Sequence, residues 1–282
     1  MTISPDILVV GATGSTGRAT TDCLTARGIP FRSMSRRSPS VEFGVQADLD
    51  DARSVRTALE GVRAAYLVTP STERAETQQK QFIDIAVAAG VSHLVLLSQL
   101  GSVVDSPVRF LRYHAAVEQH ALASGIGITA LRPNLFMQGM LALAGIVKTT
   151  GKLPAPIGEA RVSLVDVRDI GDVATLALTS PKPLGAVTLT GGEALTHIEL
   201  AARLSSATGH QIHFEDVPPE RFGKMLSGVL PPWQVKGLLE DYAHYARGEA
   251  AAISTAVPDL LKHPARDFAT FAREHAALFR RK

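Results

Sequence analysis

One cysteine, Cys23, occurs in 282 residues, which excludes a disulfide framework and a thiolate metal cluster. An excess of one charge is missing too. The 29 basic residues face 27 acidic ones, and a net +2 gives no electrostatic footprint for nucleic acid or a membrane surface. The longest apolar stretch, 135–147, is interrupted by Gln138 and falls short of the ~20 residues a membrane helix needs. The opening Met1-Thr2-Ile3-Ser4-Pro5-Asp6 has no basic region ahead of its apolar run, unlike a secretory signal. None of the nine histidines forms H-E-x-x-H, and no G-x-S-x-G elbow occurs, so no metal site and no serine-hydrolase chemistry is expected. Repeats and low-complexity tracts are absent. What remains is an ordinary globular composition, 45% apolar and 20% charged, in a chain able to bury roughly three quarters of its unfolded surface. A cytoplasmic location is expected.

The N-terminal half alternates short β-rich runs with longer helical patterns, the mark of a parallel sheet with helices on both faces. Strands are expected at 7–10, 31–35, 45–48, 65–69, 93–98 and 128–132, with helices at 16–27, 52–60, 77–89 and 113–124. Each helix is followed by a glycine that stops it: Gly28, Gly61, Gly90 and Gly125. His93, ahead of a buried strand, reads as structural. After Pro133 the pattern loosens, leaving a strand at 187–190 and a helix at 195–208 opened by Thr196. Pro218-Pro219, Gly228 and Pro231-Pro232 are expected to break the remainder into short pieces, and 268–281 reads as an apolar docking helix with a basic end. The fold class is α/β, a Rossmann-type doubly wound parallel sheet with a small C-terminal substrate-binding lobe. Residues 1–133, completed by about 160–191, would form the nucleotide-binding core; 134–159 and 192–282 would form the lobe.

Gly11, Gly14 and Gly17 fall at G-x-x-G-x-x-G spacing between the first strand and the first helix. Gly11 permits the tight turn, Gly14 lets the backbone approach a diphosphate, and Gly17 lets the helix pack on the sheet. With Thr13, Ser15 and Thr16 they present a helix N-terminus to phosphate. No Lys-Ser or Lys-Thr follows the last glycine, so this is not a P-loop. Where an NAD site carries Asp or Glu on the ribose, this chain has Ser35-Arg36-Arg37-Ser38. Guanidinium forks there suit a 2′-phosphate, which favours NADP(H); a solvated basic loop is the plainer alternative. Asp48 and Leu49 would flank the adenine, although Asp48 also suits a turn or cap. Val68-Thr69-Pro70, at the next strand end, would line the ribose and diphosphate.

These residues resemble a known family. Gly11-Ala12-Thr13-Gly14-x-x-Gly17, Arg36 and His114-x-x-x-Glu118 are similar to the NmrA-like branch of atypical short-chain dehydrogenases. So are Ser124-Gly125-Ile126, Thr129-Ala130-Leu131-Arg132-Pro133 and Asp166-Val167-Arg168-Asp169-Ile170, and the likeness runs to about residue 215. It looks closest to the NAD(P)H:quinone oxidoreductase subgroup, which implies reduction of a quinone or similar acceptor by NADPH. The family also includes regulators that sense NADP(H) and bind a partner protein without turnover. Short-chain dehydrogenases typically pair Ser and Tyr with a Lys four residues after the Tyr. Ser98 and Tyr113 match in position, but Val117 stands at the Lys place.

Without that cation Tyr113 should titrate near ~10 and be a poor base. An activated acceptor, a quinone, enone or iminium, asks less, because the cofactor carries the hard chemistry. Tyr113 and His114 are the candidate proton donors or orienters; a helix-start surface tyrosine and a packing histidine are the alternatives. Asn134 and Phe136 would touch the nicotinamide, although Phe136 equally suits a core position. Trp233, expected in a proline-bracketed loop, would cap a flat acceptor or anchor packing. The expected partner is a small molecule, with no nucleic acid or membrane, and a homodimer is the candidate assembly.

Overall fold

The computed structural model describes residues 5–37 and 43–280. The elements run β1 Ile7–Val10, α1 Ser15–Ala26, β2 Arg32–Ser35, β3 Gly44–Gln46, α2 Ala52–Ala58, β4 Ala64–Leu67, α3 Ala75–Ala88, β5 His93–Leu97, α4 Arg109–Ala123 and β6 Gly127–Pro133. A 3-10 stretch at Met137–Leu143 leads into α5 Ala144–Thr150, β7 Lys152–Ala155, α6 Val167–Thr179 and β8 Gly185–Leu189. The chain then forms α7 His197–Thr208, β9 His213–Asp216, α8 Pro219–Leu226, α9 Pro232–Ala246, α10 Ala256–Leu261, α11 Phe268–Glu274 and α12 Ala276–Phe279.

Strand and helix alternate through the first 133 residues because the apolar period switches between the two, and the result is a seven-stranded sheet in the order β3-β2-β1-β4-β5-β6-β8. All pairings from β3 through β6 are parallel, with Val9 opposite Ser33 on one side and Tyr66 on the other. This is the expected α/β Rossmann-type sheet. β1 and β4 are wholly buried, which is why they read as unbroken apolar runs. Strand order reverses between β1 and β4, and the carboxyl ends of the strands flanking such a reversal form the crevice where open α/β sheets bind ligands.

The chain divides into two compact units. Met1–Ser106, Leu111–Arg132 and Ile170–Val187 form the first; Pro107–Phe110, Pro133–Asp169 and Thr188–Lys282 form the second. The first is built around Leu8, Leu24, Tyr66, Phe82 and Leu94. Within it Gly171 lets α6 seat on α1, because a methyl there would lie 2.6 Å from the Ala19 carbonyl carbon. The second packs β7 and β9, a parallel pair, with an apolar cluster that includes Leu153, Phe222, Tyr242, Phe268, Phe271 and Phe279.

Three expectations need correction. The helix expected from 113 begins at Arg109, so Tyr113 lies in its second turn. The prolines after residue 217 do not merely interrupt: Pro219 and Pro232 each open a helix, α9 being 15 residues long, and Trp233 sits in the first turn of α9 rather than in a loop. Proline is well suited there because a first-turn N–H has no intrahelical partner to lose. The tail at 268–281 is two short helices meeting at His275, with Arg281 outside the described residues. Thr196 caps α7 in a capping box with Glu199, as its sequence predicts. No helix among the described residues is long and apolar enough to cross a membrane.

Candidate active site

At the end of β1 the chain turns at Gly11, whose φ of +72° lies in the left-handed region. A methyl at Gly11 would also collide with Val68, lying 2.8 Å from its Cγ1. The Gly14 N–H donates to the Gly11 carbonyl at 2.9 Å and closes the turn. A methyl at Gly17 would press on the Gly11 carbonyl, its carbon 2.7 Å away, so α1 can dock here only with glycine. Gly14 is different. Its backbone, φ −75° and ψ 170°, is open to any residue, and a methyl would meet only the Gly11 carbonyl oxygen at 3.4 Å. The fold therefore demands Gly11 and Gly17 but not Gly14.

Gly14 is also the N-cap of α1, with no side chain to cap it, and the first turn of α1 holds no acidic residue. Thr13, Gly14 and Ser15 are exposed, while Thr16 is buried and its carbonyl accepts from the Thr20 hydroxyl at 2.9 Å. The first-turn N–H groups and the positive end of the helix dipole are thus left for an anion. These residues fit the diphosphate of a dinucleotide.

The neighbouring strand ends carry the other expected groups. Arg36 and Arg37 are exposed just past β2, where the Arg36 carbonyl accepts from Gln46 Nε2 at 3.2 Å and the Arg37 N–H donates to Ser35 Oγ at 3.3 Å. Ser38 lies outside the described residues. Arg32, four residues before Arg36 at the start of β2, is committed elsewhere, donating to the carbonyls of Glu60 (2.7 Å) and Ala58 (3.4 Å). Asp48 takes the turn role: its carboxylate accepts from the Asp50 N–H at 3.0 Å, and its own N–H donates to Ser54. Leu49 beside it is half-buried. Thr69 accepts from the buried Gln79 amide at 2.7 Å, which fixes the segment leading to Pro70.

Ser98, just beyond β5, is buried and donates to the carboxylate of Glu118, which is buried on α4. Arg132, at the end of β6, grips the same carboxylate with Nε at 3.0 Å and a terminal nitrogen at 2.5 Å. Tyr113 and His114 are both buried, their rings in tilted contact with centroids 4.0 Å apart. The Tyr113 hydroxyl lies 3.2 Å from Ser71 Oγ. Burial pushes His114 down to about 3, so its imidazole is neutral at physiological pH. His93 is also buried, its Nε2 2.9 Å from the Thr129 hydroxyl, as expected of a structural residue. Val117 is fully buried one turn after Tyr113.

The remaining candidates belong to the second unit. Both amide protons of Asn134 are bonded there, to Ser163 Oγ at 2.9 Å and the Ala250 carbonyl at 2.8 Å, while its Oδ1 accepts from the Leu135 N–H. Phe136 is half-buried and bridges Val165. Trp233 packs on Phe110 at 5.2 Å and beneath the Arg109 guanidinium at 5.5 Å. Asp166 and Asp169 are fully buried and paired with Arg168 and Arg266; burial pushes the Asp166 carboxyl up, but Arg168 outweighs it and holds it below the usual range. An open hollow of about 870 Å³, lined by Pro156, Ile157, Ala160, Val217, Pro218 and Arg247 among others, contains none of the expected site residues. Among the described residues no three His, Cys, Asp or Glu side chains group as metal ligands.

Sequence reasoning gave no role to Ser71, Gln79 or Arg132. The only sign of Arg132 was its motif, and Ser71 and Gln79 had none, because the partner of Ser71 is on α4, 42 residues on, and that of Gln79 is in the connection that precedes its own helix.

The NmrA-like family model matches residues 4–257. The NAD(P)H azoreductase of Xenophilus azovorans is 34% identical, covering 97% of this chain and 99% of its own. The (4-alkanoyl-5-oxo-2,5-dihydrofuran-3-yl)methyl phosphate reductase of Streptomyces griseus is also 34% identical over the same shares. Among solved structures, an NADPH-dependent quinone oxidoreductase of Escherichia coli complexed with NADPH superposes with a TM-score of 0.86 at 24% identity, covering 95% of this chain and 99% of that one, so the fold is shared.

Proposed function

We propose that this chain, which belongs to the NmrA-like family, is an NADPH-dependent oxidoreductase that reduces a small electron-poor π system, such as a quinone, a conjugated enone or an iminium. The observation that carries the reading is the uncapped start of α1 behind Gly14, a glycine the fold itself does not need, with the Arg36–Arg37 pair at the end of the next strand. The names of the two 34% identical relatives support it, since an azo bond and an oxo-dihydrofuran both offer hydride an electron-poor π system.

Gly11, Thr13, Gly14, Ser15, Thr16 and Gly17 would hold the diphosphate, Arg36 and Arg37 the 2′-phosphate. Asp48 and Leu49 would flank the adenine, and Thr69 and Pro70 the ribose. When bound, NADPH supplies the hydride. Ser98, whose proton is directed to Glu118, offers lone pairs and would accept from a carboxamide N–H. Asn134 would fix the strand end rather than contact a ligand, because its amide is already bonded. With Val117 in place of a lysine, no cation at that position activates the Tyr113 phenol as a base, and Tyr113 would serve as a proton donor.

Calorimetric titration with NADPH and NADH, followed by NADPH oxidation against a panel of quinones, enones and imines, tests this. Tight NADPH binding with acceptor-dependent oxidation is expected. Binding without turnover would replace the reductase by a nucleotide-sensing regulator with a partner protein, and no binding of either nucleotide would refute both.

A further inference from the structure

We infer that Ser71 is a positioning and proton-relay residue for Tyr113, connecting the buried phenol to solvent and taking the place of the missing Tyr-x-x-x-Lys pair; this rests on the reductase reading above. Tyr113 is only 6% exposed, so a phenol that gives up a proton in each cycle needs a route by which to regain it. Its hydroxyl lies 3.2 Å from Ser71 Oγ, and Ser71 is half-buried, one residue past Pro70 in the β4–α3 connection. That connection is held in place: Pro70 fixes its own φ, the Thr69 hydroxyl accepts from Gln79, and the Arg74 N–H donates to Thr72 Oγ1 at 3.3 Å. Two neighbours do not carry the proton. Position 117 is an apolar valine, and Nδ1 of the buried His114 imidazole has no hydrogen-bond partner among the described residues to pass a proton on.

The proton balance is simple. Hydride addition puts an electron pair on the acceptor heteroatom; that atom takes the phenolic proton as the Tyr113 O–H bond breaks. The Ser71 proton moves to the Tyr113 oxygen, and a solvent proton restores Ser71. The acceptor gains one hydride and one proton, the cofactor is oxidised by two electrons, and one proton is drawn from water.

The test uses the full chain with Ser71→Ala, Ser71→Thr and Tyr113→Phe. Phenolate absorbance is titrated without nucleotide. Burial pushes the phenols of Tyr66 and Tyr242 well up, and Tyr113→Phe identifies the midpoint that belongs to Tyr113. Ser71→Ala should raise the Tyr113 midpoint by about one unit, because a hydrogen bond donated to the charged oxygen is lost, and Ser71→Thr should restore it. In turnover, Ser71→Ala and Tyr113→Phe should lower kcat by roughly 10–100-fold with little change in KM for the acceptor, and Ser71→Thr should recover it. An unmoved Tyr113 midpoint, or an undiminished kcat, in Ser71→Ala would overturn the relay. Failure of the unmodified protein to turn over any acceptor would instead sink the reductase reading, and the nucleotide-free titration would still report whether the two hydroxyls are coupled.

Discussion

Two alanine substitutions three residues apart should fail in opposite ways. At Gly17 an added methyl lies 2.7 Å from the Gly11 carbonyl carbon and 3.0 Å from Ala12 Cα, against the 3.4 Å at which ordinary contact begins. The obstructing atoms are backbone, so either the turn opens or α1 lifts from the sheet. Overpacking of this kind costs about 1–3 kcal/mol or more. For a compact unit of this size that is a fall in melting temperature of roughly 3–10 °C. At Gly14 the same methyl meets one atom at 3.4 Å, in a backbone conformation that suits alanine. Gly14→Ala should cost only a few tenths of a kcal/mol to about 1 kcal/mol as a poorer N-cap. The methyl would, however, occupy the approach to the first-turn N–H groups, and NADPH affinity should fall at least ~10-fold. Differential scanning calorimetry and isothermal titration on both variants separate the effects. Unchanged NADPH affinity in Gly14→Ala would show that this loop is not the diphosphate cradle. A normal melt for Gly17→Ala would refute the close-packing account of the turn.

Arg36→Ala should weaken NADPH binding by about 1–3 kcal/mol while leaving NADH nearly unaffected, read by calorimetry; equal losses would mean the 2′-phosphate is recognised elsewhere. Glu118→Gln keeps the shape but removes the charge held by Arg132 and Ser98, and should destabilise the protein by roughly 2–4 kcal/mol in urea unfolding; a change within error would show the buried pair to be energetically idle. His197 is fully buried with neither ring nitrogen hydrogen-bonded among the described residues, and burial lowers it to about 4. The unfolded chain, titrating near 6.5, therefore binds more protons between pH 6.5 and 4, and stability falls as pH drops through that window by about 1.4 kcal/mol per unit. His197→Leu should flatten this slope, with the remainder shared by other groups including His114, His93 and His244, all lowered by burial; an identical acid profile would exclude His197 as a source.

The parts of the fold that sequence reveals are those where a local pattern carries a complete physical demand. Ile7–Val10 is apolar throughout because both faces of β1 are covered, and Gly11 is glycine because of one positive φ and one close approach. The start of α4 is hidden for the opposite reason. Its Arg109 N–H is satisfied by Glu240 at 2.8 Å, 131 residues away. Phe110 similarly lies where only glycine at 237 leaves room for its ring. No window around residue 109 contains either partner. The prolines at 219 and 232 mislead because proline breaks a helix interior but suits its first turn, and only tertiary packing decides which applies.

The same distinction explains which site residues were legible and changes what they can do. Ser98 is identifiable from its place at the end of β5, and that place alone makes it look like a free hydroxyl donor. Its neighbour in space is Glu118, 20 residues on, whose carboxylate is held by Arg132 and takes the serine proton. A hydroxyl so directed has only lone pairs left to offer, with Ser102 Oγ 3.2 Å away, and cannot protonate a reduced acceptor. His114, neutral by burial, is no cationic acid either. Of the polar groups that sequence alone brings forward for proton transfer, this leaves the Tyr113 phenol, whose hydroxyl partner Ser71 is 42 residues earlier and becomes a candidate only once the segments that carry the two are known to lie in the same unit.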